Sequence, residues 1–396
     1  MSSEDRASCQ QDGSDMRLYF KLSSFYFFYF ALLGGLAPYW GLYLEDTGFN
    51  TIEIAQITSV LMVTKILAPN LWGWVGDHTG KRLELVRYGS LFTFVFFLAF
   101  YIDNQFWWFI SVMAVFSFFW NAVLPQFEVI TLHSLGERRE RYSRVRLWGS
   151  LGFVASVVLL GIIFDHVSIS YLPDFLLGII AFIGLCSLFR FKQPAYSRQR
   201  AKGAFLKALA SPLVMSFLLI NFLLQLSHGP YYTFYSIYME DLGYDRSTIG
   251  VLWAVGVLAE VLLFFIMHRV MQRFSLRDIV LLSLLLTTLR WLMVGVYSEY
   301  LVMVVLAQCL HAASFGAMHA VAIHFVHRYF PVNIHGQGQA IYASVSFGAG
   351  GALGAIVSGE IVNAYGSPMA FNLAAVCSGL ALLIGIFSFK IKSHSA

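Results

Sequence analysis

The stretch of sequence that decides the fold lies between two long apolar segments and reads Gly73-Trp74-Val75-Gly76-Asp77-His78-Thr79-Gly80-Lys81-Arg82. Helices approach each other closely where they carry glycine, because no side chain separates them. An acid at a helix end, such as Asp77, can meet the N-terminus of a neighbouring helix or an arginine. The stretch therefore predicts a tight connection between two packed helices, with a simple polar turn as the alternative.

Outward from this connection the sequence is mostly apolar. Hydrophobic residues occupy 58% and charged residues 12% of the 396 positions, whereas soluble domains average about 25% charged residues. This composition excludes an ordinary soluble enzyme and favours an all-α membrane protein over a bundle of buried soluble helices. Apolar runs long enough to cross a membrane, about 20 residues, predict twelve helices at residues 18–44, 52–76, 83–101, 106–132, 143–166, 173–190, 211–239, 247–268, 278–297, 300–328, 337–364 and 368–390.

Basic residues are distributed unevenly between these helices. All 26 lysines and arginines except Lys65, Arg246 and Arg290 fall on one side of the predicted membrane, in the tails, alternate loops and helix ends. Basic residues accumulate on the cytoplasmic side of membrane proteins, so we expect both termini in the cytoplasm. The net charge of +4 is thereby explained by topology and does not indicate binding to nucleic acid.

The chain also divides into two similar halves. The segment Leu44-Glu45-Asp46-Thr47-Gly48-Phe49 matches Met239-Glu240-Asp241-Leu242-Gly243-Tyr244, as expected of an internal duplication. Residues 191–210 are the longest basic stretch between apolar runs and predict a cytoplasmic linker. The fold class is therefore twelve transmembrane helices in two six-helix pseudo-repeats, at residues 18–190 and 211–390, with cytoplasmic tails at 1–17 and 391–396.

Signals for enzymatic chemistry are missing from the sequence. The four cysteines lie far apart, without the spacing of a metal site. The sequence contains no nucleotide-binding loop and no nucleophile motif. We therefore expect no enzymatic activity, no bound metal and no cofactor.

In this setting the stretch 73–82 resembles the signature between the second and third helices of the major facilitator superfamily. His78 stands where that signature usually has a basic residue. The resemblance implies that the connection takes part in gating the two halves. The residues implicated are Gly73, Asp77, Gly80 and Arg82.

A narrower resemblance extends over most of the chain. It is to the 3-phenylpropionate transporter family of proton symporters, and it implies uptake of an aromatic carboxylate with protons across a bacterial cytoplasmic (inner) membrane, driven by the proton gradient. The partners we expect are a small substrate, protons and the lipid bilayer, and we expect a monomer. The strings that carry the resemblance are Val145-Arg146-Leu147-Trp148-Gly149-Ser150, Leu224-Gln225-Leu226-Ser227-His228, Ala259-Glu260-Val261, Arg290-Trp291 and His311–His319.

Two charges are predicted near the middle of the membrane, where charges are costly and usually face a cavity or a partner. Lys65 and Glu260 occupy equivalent positions in the two repeats, and duplicated transporters place their sites at the midplane between repeats. We expect a central pair in which Lys65 binds a substrate carboxylate and Glu260 carries the coupling proton. The alternative is an ion pair that only holds the halves together.

Two further charges lie nearer the predicted cytoplasmic side. Glu128 shares a helix face with Asn121 and Pro125, because residues four and seven apart align. We expect Glu128 to carry a proton or close a gate, and the alternative is an acid neutralised by the arginines of the next loop. We expect Arg146, near the inner surface, to act in gating, with contacts to lipid or substrate as alternatives.

Two histidines and an arginine within a predicted helix complete the charged set. His311 and His319 are close enough in helical angle to share a cavity, and histidine titrates near neutral pH. We expect His311 to contact substrate and His319 to relay protons, unless both are structural. The resemblance implies that the ninth helix packs outside the cavity, so Arg290 is expected to extend toward Glu299.

The seventh helix carries a polar and aromatic stripe that predicts a cavity wall. Pro230 lacks a backbone donor and should bend this helix. The first helix adds Tyr29 to the predicted substrate site, although a tyrosine in a membrane helix is often an interfacial residue instead. The stripe consists of Asn221, Gln225, His228, Tyr232 and Tyr235.

These observations predict a proton-coupled importer of an aromatic monocarboxylate such as 3-phenylpropionate. A buried cation would meet the carboxylate while aromatic side chains bury the ring. A proton symporter of a neutral sugar or nucleoside, or an exporter, is the alternative. A membrane sensor that transports nothing is the least favoured, because the chain has no soluble effector domain.

Overall fold

A computed structural model describes residues 3–136, 138–191 and 204–389 of the chain. In that part of the chain, twelve helices are long and apolar enough to cross a membrane, which confirms the predicted fold class. The first of them is the apolar part of a helix that begins at Ser3. The twelve are α1 Met16–Asp46, α2 Thr51–Thr79, α3 Arg82–Tyr101, α4 Phe106–Leu135, α5 Tyr142–Phe164, α6 Ile169–Ser187, α7 Pro212–Asp241, α8 Arg246–Arg273, α9 Leu276–Val296, α10 Leu301–Tyr329, α11 His335–Tyr365 and α12 Ser367–Ser388.

The predicted linker and tails are covered only in part. Residues 192–203 of the linker and the tail 391–396 lie outside the described residues. The described end of the linker contains a short helix, Ala204–Leu209. The cytoplasmic location of the linker and of both termini stays a prediction.

Local sequence explains where α2 begins and ends. The Asn50 side chain accepts hydrogen bonds from the backbone N–H groups of Ile52 and Glu53, both at 3.0 Å. The Glu53 carboxylate accepts one from the N–H of Asn50 at 2.9 Å, which completes a capping box. At the other end, Gly80 adopts a left-handed conformation (φ 69°), and its N–H bonds to the carbonyl of Gly76 at 3.0 Å. The predicted tight connection is therefore present.

Three helices of the second half are irregular. In α7 the α-helical segments Pro212–Ser227 and Gly229–Asp241 meet at His228, just before Pro230, whose ring cannot donate a backbone hydrogen bond. In α10 and α11 the segments Ala312–Ala317 and Ser344–Gly350 are π-helical. Single π-helical turns occur mostly inside α-helices and often at functional sites.

The buried side chains follow the two halves. One core lies almost entirely within α1–α6 and a second within α7–α12. A third cluster joins α5 to the second half through Phe153 and Val157. The halves touch where α5 packs on α8, α2 on α11 and α1 on α7. Gly250 permits the α5–α8 contact, because a Cβ there would lie 2.3 Å from the carbonyl oxygen of Val157.

Polar contacts hold the halves together at the end of the bundle predicted to be external. The Arg246 guanidinium lies 2.7 Å from the Glu240 carboxylate in its own half. It also donates to the carbonyl of Phe164 in the other half at 3.2 Å. Next to it, the N–H of Ser247 donates to the Asp165 carboxylate at 3.1 Å. These bonds join the two halves at this end.

Candidate functional site

A cavity of about 270 Å³ lies between the two halves. It is lined by α1, α2, α4 and α5 from one half and by α7, α8, α10 and α11 from the other. Pockets that bind small molecules typically measure about 300–1,000 Å³, so this cavity suits a compact substrate. Its position between duplicated halves is where transporters place their substrate sites.

Aromatic rings dominate the wall of the cavity. Tyr231 of α7 and Trp253 of α8 pack with ring centroids 4.4 Å apart. Phe315 and Phe347 come from the π-helical segments of α10 and α11, with centroids 5.7 Å apart. The remaining aromatic lining residues are Phe30, Trp40, Phe153 and Tyr232. Such a wall can bury an aromatic or aliphatic group of the substrate.

Two cations of the first half face this cavity. The Lys65 ammonium lies 3.4 Å from the sulfur of Met62. The Arg146 guanidinium lies 3.9 Å from the centroid of the Phe30 ring, a cation–π contact. Among the described residues, neither cation has a carboxylate within 4.0 Å. Each is therefore available to an anionic ligand.

An acid and a histidine of the second half face the same cavity as a close pair. His311 Nε2 of α10 lies 2.8 Å from a carboxylate oxygen of Glu260 in α8. Lys65 and Glu260 both line the cavity, but the alternative of an ion pair between them is not realised, since Glu260 lies beside His311 instead. The physical reason is that α8 and α10 pack directly on each other in the same half; a Cβ at Gly316 would be in ordinary contact with Cγ of Glu260, at 3.4 Å.

The stretch 73–82 forms a polar cluster at the opposite end of the bundle from Arg246. Arg82 is ion-paired with Asp77 and donates to the Gln126 side chain at 2.5 Å, which ties together the ends of α2, α3 and α4. Among the glycines of this stretch, Gly76 makes a close approach, since a Cβ there would lie 2.6 Å from the Gln126 oxygen. A Cβ at Gly73 would have no atom within 4 Å.

The polar stripe of α7 lines the cavity only in part. Gln225 and Tyr232 face the cavity, as predicted. Asn221 instead donates to the carbonyl of Phe217 at 2.8 Å, and the buried His228 ring lies 2.8 Å from the carbonyl of Leu224. Tyr235 is buried against neighbouring rings behind the wall. The helix is interrupted at His228, so the polar residues before and after it do not lie on one continuous helix face.

Three other predicted site residues lie outside the cavity lining. The Tyr29 hydroxyl donates to the carbonyl of Trp120 at 3.3 Å, and Glu128 accepts from the Tyr142 hydroxyl at 3.2 Å. His319 lies behind Phe315, with ring centroids 6.2 Å apart. The π-helical segment between His311 and His319 changes their relative angle, so a count of residues along a regular helix misplaces His319.

Arg290 is a buried charge whose place was wrongly predicted. It does not extend toward Glu299 but is completely buried and donates to the Ser314 hydroxyl at 2.9 Å. Its guanidinium stacks on Tyr231 at 4.4 Å and Trp291 at 4.2 Å from the ring centroids. Arg290 thus supports a cavity-lining ring from behind. The signal for this role was an arginine in mid-helix next to a tryptophan, Arg290-Trp291.

Comparisons with known sequences agree with this architecture. The sequence model of the MFS_1 like family matches residues 19–373. The chain is 28% identical to a probable 3-phenylpropionic acid transporter of Escherichia coli, over 89% of this chain and 93% of that protein. It is 24% identical to a maltose permease of Geobacillus stearothermophilus, over 91% of this chain and 92% of that protein.

Solved structures show the same fold. A mutant of the nucleoside transporter NupG superposes with a TM-score of 0.85 at 17% identity, over 94% of this chain and all of that chain (100%). The POT family transporter PepTSo superposes with a TM-score of 0.77 at 8% identity, over 94% of this chain and 97% of that chain.

The membrane-spanning bundle, the central cavity and these similarities lead to one classification. The protein is a multi-pass membrane transporter and not an enzyme. The family match spans most of the sequence, from the first helix into the twelfth. The chain belongs to the MFS_1 like family, within the major facilitator superfamily of secondary transporters.

Proposed function

We propose that the protein imports a small aromatic monocarboxylate, such as 3-phenylpropionate, together with protons across a bacterial cytoplasmic membrane. The observation that carries this proposal is the combination of an aromatic cavity wall with two cations, Lys65 and Arg146, that have no carboxylate partner among the described residues. Buried cations are costly without a counter-charge. A bound carboxylate would supply that charge while its ring packs against the aromatic wall.

Charge balance further favours a monoanion. The residues that line the cavity include two basic side chains, Lys65 and Arg146, and one acid, Glu260. A monocarboxylate supplies an anionic partner for these cations. A neutral sugar would leave these cations without an anionic partner and would have to meet its hydroxyl groups with fewer polar side chains, since Asn221 and His228 are outside the cavity lining.

Glu260 is the proposed proton carrier. A substrate carboxylate adds a second negative charge to a confined cavity, and like charges close together favour protonation of one of them. Binding of substrate and binding of a proton by Glu260 therefore support each other. His311, 2.8 Å from the carboxylate, can exchange that proton, and no cofactor is needed because the proton gradient supplies the driving force.

The relatives support both a carboxylate and a neutral substrate. The resemblance to a probable 3-phenylpropionic acid transporter agrees with the proposal. The similarity to a maltose permease fits the alternative of a neutral substrate. Lys65 and Arg146, which have no carboxylate partner among the described residues, favour the acid. We further propose that a monomer alternates its access by rocking of the two halves around the cavity.

Uptake by purified protein in lipid vesicles tests the proposal. With an inward proton gradient we expect accumulation of labelled 3-phenylpropionate, and competition by other arylalkanoic acids. The amide of the same acid, which has the same ring and no charge, serves as the matched control and should compete poorly. Maltose or uridine accumulation without uptake of any aromatic acid would overturn the proposal, and accumulation only under an outward gradient would indicate an exporter.

A further inference from the structure

Helix α10 carries three aromatic rings that are stacked one after another, from the cavity wall to a position behind it. His311, Phe315 and His319 are spaced four residues apart. The His311 and Phe315 rings are stacked with centroids 5.6 Å apart and planes at 18°. The Phe315 and His319 rings are stacked with centroids 6.2 Å apart and planes at 11°. Phe315 therefore stands between two imidazoles.

The first imidazole belongs to a titratable pair on the cavity. His311 Nε2 lies 2.8 Å from the Glu260 carboxylate, and its Nδ1 is buried without a hydrogen-bond partner in the described part of the chain. The charged groups that act on the pair are Arg290 from α9, Arg146 from α5 and His319 itself.

The second imidazole lies beyond Phe315. His319 packs against Tyr342 and Phe347 of α11, each with ring centroids 6.2 Å away. Its Nδ1 is buried, and no hydrogen-bond partner for it occurs in the described ranges. Its charged neighbours are Glu260 of α8 and Arg146 of α5. His319 is therefore a proton acceptor with an unused nitrogen, separated from the cavity by one ring.

A proton passes between two groups only across a hydrogen bond or through an intervening water. The benzene ring of Phe315 supplies neither, and it occupies the space where a bridging water would stand. Phe315 lies in the π-helical segment Ala312–Ala317, and such segments often mark functional sites. A small change in the backbone of this segment would move the Phe315 ring and let a water bridge His311 and His319.

We propose that Phe315 is a barrier to proton transfer between the Glu260–His311 pair and His319, and that it prevents protons from crossing the protein without substrate. When the ring moves aside, the proton that the Glu260 carboxyl gives to His311 passes from His311 through one water to His319. This step leaves a carboxylate and an imidazolium, and the imidazolium then releases the proton to water on the inner side. The inference rests on the proposed proton symport and assigns its control to a residue without a titratable group.

The test measures proton flux into vesicles that contain a pH-sensitive dye, under a membrane potential and without substrate. We expect Phe315→Ala to raise the flux about tenfold over the wild type, which corresponds to a barrier lower by about 1.4 kcal/mol. Phe265→Ala is the control, since it removes the same ring from the exposed face of α8, outside the cavity lining. It should leave the flux at the wild-type level.

Two more variants define the path. Phe315→His keeps a planar ring in place but adds a proton acceptor, so it should also conduct, even if Phe315→Ala folds poorly. Adding His319→Phe to Phe315→Ala should return the flux to the wild-type level. Wild-type flux in both single Phe315 variants would overturn the barrier, and a persistent leak in the double variant would overturn His319 as the acceptor.

The same vesicles separate this inference from the proposed function. Addition of 3-phenylpropionate to the wild type should start proton uptake, which tests symport. Absence of that response contradicts the proposed function. The comparison of Phe315 variants is made without substrate, so it decides the barrier independently.

Discussion

At the scale of single residues, the charges in the cavity matter most. Lys65 was predicted from its depth in the membrane and its repeat partner, and it does line the cavity. Its ammonium lies beside the Met62 sulfur, 3.4 Å away, which is a weak acceptor compared with a carboxylate. Lys65 can therefore give up its weak contact with the Met62 sulfur and bind a substrate carboxylate.

We predict that Lys65→Ala weakens binding of 3-phenylpropionate about thirtyfold, since a hydrogen bond to a charged group contributes about 1.5–3 kcal/mol. Binding of the neutral amide should change far less. Affinities from isothermal titration or competition test this, with Lys81→Ala, an exposed lysine, as the control. Equal losses for acid and amide would show that Lys65 only shapes the cavity.

Glu260 gives a second prediction at this scale. Glu260→Gln keeps the size and polarity of the side chain but removes its titration, so proton-driven accumulation should be abolished while substrate exchange continues. Counterflow and accumulation are measured in the same vesicles, and Glu360→Gln, at an exposed site on α11, is the control. Wild-type accumulation by Glu260→Gln would return this acid to a structural role.

The sequence predicted some cavity residues well and others poorly, for a physical reason. Lys65, Glu260, Gln225, Tyr232 and His311 line the cavity because a charged or polar residue deep in the membrane is costly unless it faces a cavity or partner. Other polar residues were satisfied by local bonds instead, as Asn221 is by the carbonyl of Phe217. Sequence spacing does not distinguish these two outcomes.

At the scale of helices, extent is easier to predict than shape. The predicted helices agree with the structure to within a few residues, because apolar length sets the membrane span. α8 continues to Arg273, beyond its predicted end at residue 268, since polar residues can extend a helix past the apolar region. The interruption at His228 and the two π-helical segments depend on contacts with other helices, and only Pro230 hinted at one of them.

The interruption in α7 leads to a prediction about helix packing. Gly229 lies against α11, and a Cβ there would lie 2.2 Å from the backbone of Gly354. Gly229→Ala should therefore push the two helices apart at a cost of about 1–3 kcal/mol, lowering both thermal stability and transport. Gly178→Ala, where a Cβ would meet no atom within 4 Å, is the control. Unchanged melting of Gly229→Ala would show that the contact relaxes easily.

At the scale of the whole molecule, orientation follows from charge. Almost all basic residues lie at the end of the bundle that carries the linker, so we predict that the linker is cytoplasmic and Gly243 external. Single cysteines at Ser197 and Gly243, in a background without native cysteines, test this on intact cells. An impermeant thiol reagent should label Gly243→Cys only, and labelling of Ser197→Cys alone would reverse the topology.

Alternation between two open states requires contacts that form at one end and break during the cycle. Arg246 is the one basic residue predicted in an external loop, and its guanidinium joins the Glu240 carboxylate of its own half to the Phe164 carbonyl of the other half. The contact with Phe164 crosses between the halves, so it must break when the external end opens. We therefore expect it to stabilise the externally closed state specifically, so that its loss shifts the population rather than unfolding the protein.

We predict that Arg246→Gln raises the population open to the outside about tenfold, because a loss of about 1.4 kcal/mol changes an equilibrium by that factor. A cysteine at Thr58, on the cavity wall, reports the change through its rate of labelling by an impermeant reagent added outside. Arg273→Gln, at the other end of the same helix and exposed, should leave the rate unchanged. Because substrate import requires the external end to close again, Arg246→Gln should also slow accumulation while leaving binding intact. Equal labelling rates in the wild type and Arg246→Gln would show that apolar packing of α5 on α8 closes this end without the arginine.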